Sequence, residues 1–265
     1  MRRCASLVVL VLALAGCATS PTGRDQIRLY SDREMARMGS ESFAELKREG
    51  ELVRDPAVTG YVRCVAGAIT ETVAPGQDWE VQVFERDAAN AFALPGGKIG
   101  VYAGMLEVAR GPDQLAAVLA HEVAHVEAEH GNARMSAATM TQVGIAALQI
   151  ALGGEGRDSR QTMALLGLGA QVGILLPYGR SQESEADALG LDYMARAGFD
   201  PRASVELWQN MARRGGSAPP EFLSTHPSHA SRIEDLRARM PQALERYRAA
   251  RERGRVPRCE PPASA

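Results

Sequence analysis

The sequence has few of the features that would mark a fibrous, disulfide-rich or nucleic-acid-binding protein. Aromatic residues make up 5% of its 265 residues, cysteine occurs four times, and 30 basic residues nearly balance 32 acidic ones. Without a basic excess, we expect no nucleic-acid partner. Four cysteines are too few for a disulfide scaffold of this length. The remaining composition, 45% hydrophobic and 23% charged, is typical of a globular domain with one sizeable core.

Residues 1–16 predict a bacterial lipoprotein signal peptide. Two arginines open the segment, and the apolar run over residues 7–15 is too short to span a bilayer. The run ends in Leu-Ala-Gly-Cys, which resembles the bacterial lipobox, so we expect a lipid on Cys17 that anchors the chain to a membrane. Ala18, in place of Asp, favours the periplasmic side of the outer membrane. The alternative is a plain secretory signal cut nearby, with Cys17 incidental.

Two cysteines remain after cleavage and lipidation, Cys64 and Cys259. In an oxidising periplasm, two leftover thiols favour a disulfide, which would tie the end of the chain to its body. Because the sequence does not fix the distance between them, two unpaired thiols are the alternative.

The rest of the chain predicts one domain over residues 31–250. Residues 17–30 are polar and predict a lipidated tether, and the charged, proline-rich residues 251–265 predict an irregular tail. Two apolar segments, 137–152 and 161–176, are shorter than the roughly 20 residues of a membrane span. We interpret them as buried or groove-lining helices, with shallow membrane contact as the alternative.

Local patterns predict a mostly helical α+β fold. Alternation over residues 79–85 predicts a half-buried strand, and residues 98–102 predict a second one after a Gly-Gly turn. Capping residues, prolines and apolar spacing predict the helices. These run from Ser31 to Gly50, from Asp55 to before Pro75, from Pro112 to Gly131, and over about 180–197, 201–213 and 229–250.

The most informative pattern is His121-Glu122-Val123-Ala124-His125 on the predicted helix. Residues four apart share a helix face, so both imidazoles can bind one ion. A catalytic Zn²⁺ takes such nitrogen ligands and keeps one position for water, from which Glu122 can take a proton. The alternative is a helix whose His and Glu side chains face solvent.

Other histidines and acidic residues complete the set of candidates. Counted around a continuous helix, His130 lies about 500° beyond His125, so we expect it to point away from the ion, at the surface. The third ligand must come from elsewhere. Glu183 and Asp187 share a helix face, so one can bind the metal while the other accepts a ligand's N–H. Glu185 points to another side, and the alternative for this segment is an acidic helix N-terminus.

Four segments in this order resemble one family. They are NAFALPGG at residues 90–97, HEVAH at 121–125, ESEAD at 183–187, and His-Pro at 226–227 followed by Arg232-Ile233. Together they resemble the HtpX-like and CAAX prenyl protease-like zinc metallopeptidases, and among these the periplasmic lipoprotein branch of the BepA and LoiP kind.

The resemblance implies a zincin-type (gluzincin) domain with a small β-sheet beside the HExxH helix and one Zn²⁺ per chain. It implies Asp187 as the supporting carboxylate. His226 matches a family histidine near the metal, which assists the transition state or occupies the open coordination position as a latch. The ligands and general base that it implies are His121, His125, Glu183 and Glu122.

These features predict a zinc-dependent endopeptidase that acts on misfolded or unassembled envelope proteins. We expect an extended substrate to add by backbone hydrogen bonds to the edge of the predicted strand. The residues of that edge are Gly97, Lys98, Ile99, Gly100 and Val101. The outer-membrane assembly machinery is a further expected partner. Two alternatives stay open, an assembly factor whose zinc is latched shut by His226 and a lipoprotein with a purely structural zinc.

Overall fold

The computed structural model describes residues 17–151, 178–214, 221–227 and 231–263. The predicted signal peptide, the predicted helix over 161–176 and His229 lie outside the described residues.

A three-stranded mixed sheet forms beside the helices. Its strands are β3 (Glu80–Phe84), β4 (Ala91–Leu94) and β5 (Lys98–Tyr102). β5 is the central strand, parallel to β3 and antiparallel to β4. Gly96 and Gly97 form the turn between β4 and β5 at φ +82° and +72°, a conformation that glycine adopts without strain. The predicted Gly-Gly turn before the strand at residues 98–102 is therefore confirmed, and it joins two antiparallel strands.

Most helices begin where the capping residues predict. Ser31 and Glu34 form the expected reciprocal capping box, and Asp55 with Pro56 starts the next helix. The helices are α1 (Asp32–Glu49), α2 (Pro56–Val73), α3 (Ala103–Val108), α4 (Pro112–Glu127), α5 (His130–Ala151), α6 (Arg180–Ala197), α7 (Arg202–Arg214), α8 (Glu221–Thr225) and α9 (Arg232–Glu252). Among them, none is long and apolar enough to cross a membrane.

The predicted end of the HEVAH helix at Gly131 is wrong. α4 ends at Glu127, and Glu129 adopts the left-handed conformation at φ +54°. A new helix, α5, begins at His130 and contains Gly131. Glycine is the usual residue after the end of a helix, so the sequence points to Gly131, whereas a glutamate in the left-handed conformation is not recognisable from the sequence.

The segment predicted as a tether instead folds against the domain. β1 (Cys17–Thr19) and β2 (Asp25–Ile27) pair as an antiparallel hairpin. The buried amide of Gln26 donates to the carbonyl of Ala128, at the junction of α4 and α5. Strands of three residues are too short to show an alternation in the sequence, which is why a polar tether was predicted.

α4 is the central helix of the core, packed against α2, α6, α7 and β4. It approaches α6 so closely that a Cβ on Gly190 would lie 2.9 Å from the backbone nitrogen of His121. The C-terminal segment returns along the surface without helix or strand from residue 255 to 262. A disulfide joins its Cys259 to Cys64 of α2, the pairing that the cysteine count favoured.

Candidate metal centre

Four buried side chains from three parts of the fold converge on one point. His121 and His125 lie on the face of α4 that packs against α6. Glu183 lies in the first turn of α6, and His226 follows α8. One ligand atom from each of the four lies within 4.8 Å of the others. The carboxylate and both α4 histidines are thus brought together as the sequence predicted.

Four of the six distances between these atoms fit a tetrahedral metal. Bonds of about 2.0–2.1 Å in a tetrahedron require ligand atoms about 3.3 Å apart. Nε2 of His125 lies 3.1 Å from Nε2 of His121 and 3.3 Å from Oε1 of Glu183. Nδ1 of His226 lies 3.1 Å from the same carboxylate oxygen and 3.3 Å from Nε2 of His121. The residues present therefore fit a divalent ion, with His226 in the fourth position.

His121 is supported from the interior of the protein. Its Nδ1 lies 3.0 Å from a carboxylate oxygen of Asp187, the supporting role that the family resemblance implied for this residue. Arg232 donates to both oxygens of Asp187 at 2.6 and 3.0 Å, and to Oε2 of Glu183 at 2.7 Å. Its guanidinium also lies 3.6 Å from the centre of the Trp208 ring. This arginine is buried and orients two carboxylates of the site at once.

Sequence reasoning missed the role of Arg232, which entered only as part of a family motif. A usable signal exists, because Arg232 opens α9 at the end of a helix where a cation is unfavourable. A basic residue in that position needs an acidic partner from elsewhere in the fold.

His125 is supported from the opposite side. The expectation that His130 lies at the surface is wrong, because it is fully buried and its Nδ1 lies 2.9 Å from Nδ1 of His125. The 500° count assumed a continuous helix, whereas the helix breaks at Glu129 and His130 contacts His125 of α4. Nε2 of His130 lies 3.1 Å from Oε2 of Glu185. Burial lowers the pKa of His130 to about 4, so this imidazole is neutral.

Glu122 is buried beside the converging ligands. Its Oε2 accepts a hydrogen bond of 3.2 Å from the backbone N–H of Ala93, in β4. Its Oε1 lies 3.3 Å from Nε2 of His226. Burial is the largest influence and raises the pKa of Glu122 above its ordinary value. The carboxylate is placed as a proton acceptor next to the metal position.

Tyr178 forms one wall of the site and was not identified from the sequence. Its ring stacks on His125 at 3.7 Å between centroids and lies 5.0 Å from the ring of His226. Arg134 covers the tyrosine ring at 3.5 Å, and the Tyr178 N–H donates to the carbonyl of Thr225. A lone tyrosine after a proline carries no local pattern that distinguishes this role.

The predicted substrate edge is wrong. Hydrogen bonds to β3 and β4 engage β5 on both sides, so the central strand has no free edge. The free edge beside the site belongs to β4, whose Ala93 N–H points to Glu122 instead of β5. Sequence alternation identifies strands but not their neighbours in the sheet. The residues wrongly predicted to form the edge lie in the turn and in β5 and are Gly97, Lys98, Ile99, Gly100 and Val101.

A cavity of about 590 Å³ lies between α1 and the metal centre. From the metal centre, its lining includes His125 and Tyr178. Much of its remaining wall is apolar and belongs to α1, α5 and the end of β4. The apolar lining residues include Met35, Met38, Leu94, Pro95 and Met135.

Several known proteins with similar sequences are named as metalloendopeptidases or proteases. Mitochondrial metalloendopeptidase OMA1 of Schizosaccharomyces pombe is 39% identical over 169 residues, which are 62% of this chain and 48% of that protein. The bovine (Bos taurus) OMA1 is 37% identical, over 84% of this chain and 44% of its own length. The β-barrel assembly-enhancing protease of Yersinia pestis is 30% identical, over 81% of this chain and 45% of its own. The chain thus spans about half the length of these curated relatives.

The family model that matches is that of peptidase family M48, over residues 56–240. The match extends from the start of α2 into α9 and includes all four converging side chains. The mostly helical fold with a small sheet, predicted as zincin-type, is confirmed. At the level of the family, the assignment to metalloendopeptidases is confirmed as well. The chain belongs to peptidase family M48.

Proposed function

We propose that this chain is a zinc-dependent endopeptidase of the bacterial cell envelope that cleaves misfolded or unassembled envelope proteins. One observation carries the catalytic part, the buried carboxylate of Glu122 beside three convergent ligands. A purely structural metal site has no use for an additional buried carboxylate with a raised pKa, whereas hydrolysis needs a proton acceptor there.

The donor set supports zinc as the metal. Two imidazole nitrogens and one carboxylate oxygen, from His121, His125 and Glu183, match the ligands of catalytic zinc sites. When bound there, the metal would lower the pKa of a water toward about 7 and polarise the carbonyl that is attacked.

Glu122 handles the proton of this reaction. Its carboxylate accepts a proton from the attacking water and returns it to the leaving amine, which a raised pKa favours. The Ala93 N–H holds Oε2, so Oε1 is the oxygen free to face the reacting atoms. His226, when turned away from the ligand atoms, is placed to donate to the developing oxyanion.

Substrate binding is supported by the β4 edge and the cavity. An extended peptide can pair with the outward backbone of β4, next to Glu122. Backbone pairing selects for unfolded segments because folded proteins keep these groups engaged. The methionines of the cavity (Met35, Met38 and Met135) suit apolar side chains that misfolded proteins expose.

Two features support a location on the periplasmic side of the outer membrane, with the chain anchored by a lipid on Cys17. The sequence before Cys17 has the pattern of a lipoprotein signal. The disulfide between Cys64 and Cys259 requires an oxidising compartment to form and persist.

The test is Glu122→Gln, with metal content and casein cleavage measured on the same preparation. We expect the variant to keep its zinc and fold and to lose at least about 100-fold in cleavage rate. Glu71→Gln, an exposed position of α2, is the matched control and should cleave at the wild-type rate. Unchanged cleavage by Glu122→Gln would rule out the proposed role.

The position of His226 favours a second candidate, an assembly factor whose zinc is latched. In the structure its Nδ1 lies 3.3 Å from Nε2 of His121 and 3.1 Å from Oε1 of Glu183, where it would serve as a fourth ligand of a bound metal. Under the latch hypothesis, His226→Ala keeps the metal on three ligands and cleaves casein faster than the wild type. If the metal is structural, the same substitution releases it and lowers the melting temperature. If the variant keeps its metal and is no more active than the wild type, the latch is excluded.

A further inference from the structure

The N-terminal hairpin, formed by residues 17–27, reaches a buried carboxylate that the proposed reaction does not use. Glu185 is 5% exposed, and its Oε1 accepts a hydrogen bond of 2.6 Å from the hydroxyl of Thr22. Its Oε2 accepts one of 2.8 Å from Nε of Arg24. Both contacts join residues more than 160 positions apart in the chain. The hairpin thus holds one side of this carboxylate.

The other side of Glu185 leads to the metal centre. Its Oε2 lies 3.1 Å from Nε2 of His130, whose Nδ1 lies 2.9 Å from Nδ1 of His125. Nε2 of His125 is the atom that converges with the other ligand atoms. An unbroken chain of contacts therefore runs from the hairpin to one metal ligand.

The Glu185 carboxylate determines which ring nitrogens of His130 and His125 carry a proton. A carboxylate only accepts, so Nε2 of His130 donates to Glu185 and Nδ1 of His130 is left as an acceptor. Nδ1 of His125 must then carry its proton and donate it to His130. That leaves the lone pair of His125 Nε2 free to face the metal.

Without the Glu185 carboxylate, nothing fixes which nitrogen of His130 carries the proton. His130 can then carry its proton on Nδ1 instead, where it faces the Nδ1 proton of His125. The conflict is relieved when His125 moves its proton to Nε2, the atom needed by the metal, or when its ring turns. Either response weakens the site without touching a ligand.

We propose that the N-terminal hairpin, acting through Glu185 and His130, positions His125 for the metal, so that docking of the hairpin sets metal affinity. The inference rests on the metal centre of the proposed function and assigns positioning roles to Thr22, Arg24, Glu185 and His130. It makes the segment next to the predicted lipid attachment site part of the metal centre.

The experiment measures zinc affinity of the full chain in detergent, by competition with a chromophoric chelator. Partners behind a ligand histidine typically contribute 10–100-fold to metal affinity, so we expect His130→Leu to weaken zinc binding by about that factor. His130→Gln should recover much of the loss, because one amide can accept from His125 and donate to Glu185. The Co²⁺-loaded protein should show shifted visible absorption bands in His130→Leu and bands nearer the wild type in His130→Gln.

A hairpin variant tests the remote end of the chain of contacts. Thr22→Val with Arg24→Ala removes two side-chain donors to Glu185, one exposed and one partly exposed, so we expect a folded protein. Its zinc affinity should fall severalfold or more. Asp25→Ala, an exposed neighbour in β2, is the matched control and should bind zinc as the wild type does. The Thr22→Val, Arg24→Ala variant tests the inference even if His130→Leu does not fold.

The outcomes separate this inference from the proposed function. A folded hairpin variant with wild-type zinc affinity and wild-type Co²⁺ bands would overturn the inference and leave the metal centre in place. A wild-type chain that takes up no zinc would overturn the proposed function. Nitrogen-15 NMR of the metal-free protein then still tests the proton positions. A proton on Nδ1 of His125 in the wild type that is lost in His130→Leu supports the positioning chain, and a proton on Nε2 in both contradicts it.

Discussion

His121 and His125 lie one turn apart on α4, but the groups behind them belong to different regions of the molecule. Asp187 and Arg232, behind His121, are both more than 90% buried. The groups behind His125 lead outward to Arg24, whose side chain is 26% exposed, and to the exposed Thr22. One ligand is thus held by the core and the other by a hairpin at its surface. We therefore expect fold stability to depend mainly on the groups behind His121, and metal affinity to depend also on the hairpin.

We expect the largest loss of stability when the buried contacts of Arg232 behind His121 are removed. Arg232→Leu leaves Glu183 and Asp187 buried without their cation, which should cost about 3–5 kcal/mol of unfolding free energy. Urea unfolding of the metal-free protein measures this. Arg232→Lys keeps the charge without the planar fork and should lose less. A leucine variant as stable as the wild type would show that the buried arginine is not a support.

The next largest effect is expected on α6, the helix that carries both Asp187 and Glu185. Gly190→Ala places a methyl group against the backbone of His121, so it should cost about 1–3 kcal/mol and weaken zinc binding. Gly60→Ala is the matched control, because it lies in α2 with nothing within 4 Å of the added carbon. That variant should gain up to about 1 kcal/mol. Equal effects of the two substitutions would contradict the close approach of α4 and α6.

The outer support should show a distinct pH dependence. Although burial raises it, hydrogen bonds from Ser20, Thr22, Arg24 and His130 lower the pKa of Glu185 to about 2, against an ordinary value of 4.5. A carboxyl whose pKa is lowered by folding stabilises the fold above its ordinary pKa and loses this contribution as the pH falls towards about 2.

Glu185→Gln should therefore cost on the order of 1–2 kcal/mol at pH 6, with a difference that shrinks below about pH 4.5. Melting temperatures of the metal-free proteins at pH 6, 4.5 and 3.5 measure it. A difference that stays constant over this range would show that the charge of Glu185 is not what the hairpin stabilises.

Arg24 is the residue whose loss should separate stability from metal affinity most clearly. Arg24→Ala removes a partly exposed ion pair, so it should cost at most about 1 kcal/mol of unfolding free energy in the metal-free protein. Its zinc affinity should nevertheless fall. Urea unfolding in the presence of a chelator, followed by zinc titration, gives both quantities. A stability loss as large as that of Arg232→Leu would mean that the two supports are not separable.

The parts of the site that sequence reasoning predicted depend on short-range periodicity. Positions four apart on a helix share a face, so His121 pairs with His125 and Glu183 with Asp187 wherever their helices lie. Metal chemistry then requires that the two pairs meet. The strand at residues 98–102 follows from equally local patterns.

The parts that were wrong or missed depend on how distant segments meet. The orientation of His130 follows from the helix break at Glu129, a position that carries no glycine. The free edge belongs to β4 because β3, from earlier in the chain, takes the other side of β5. The hairpin and Arg232 acquire their roles only from partners far away in sequence. Local propensity contains no information about such contacts.

The disulfide between Cys64 and Cys259 has a consequence for an enzyme exposed to its own activity. All four converging ligands lie between these two cysteines in the chain. A single self-inflicted cut anywhere from residue 65 to 258 therefore leaves both fragments covalently joined, and the nicked molecule still migrates as one species until a reductant is added.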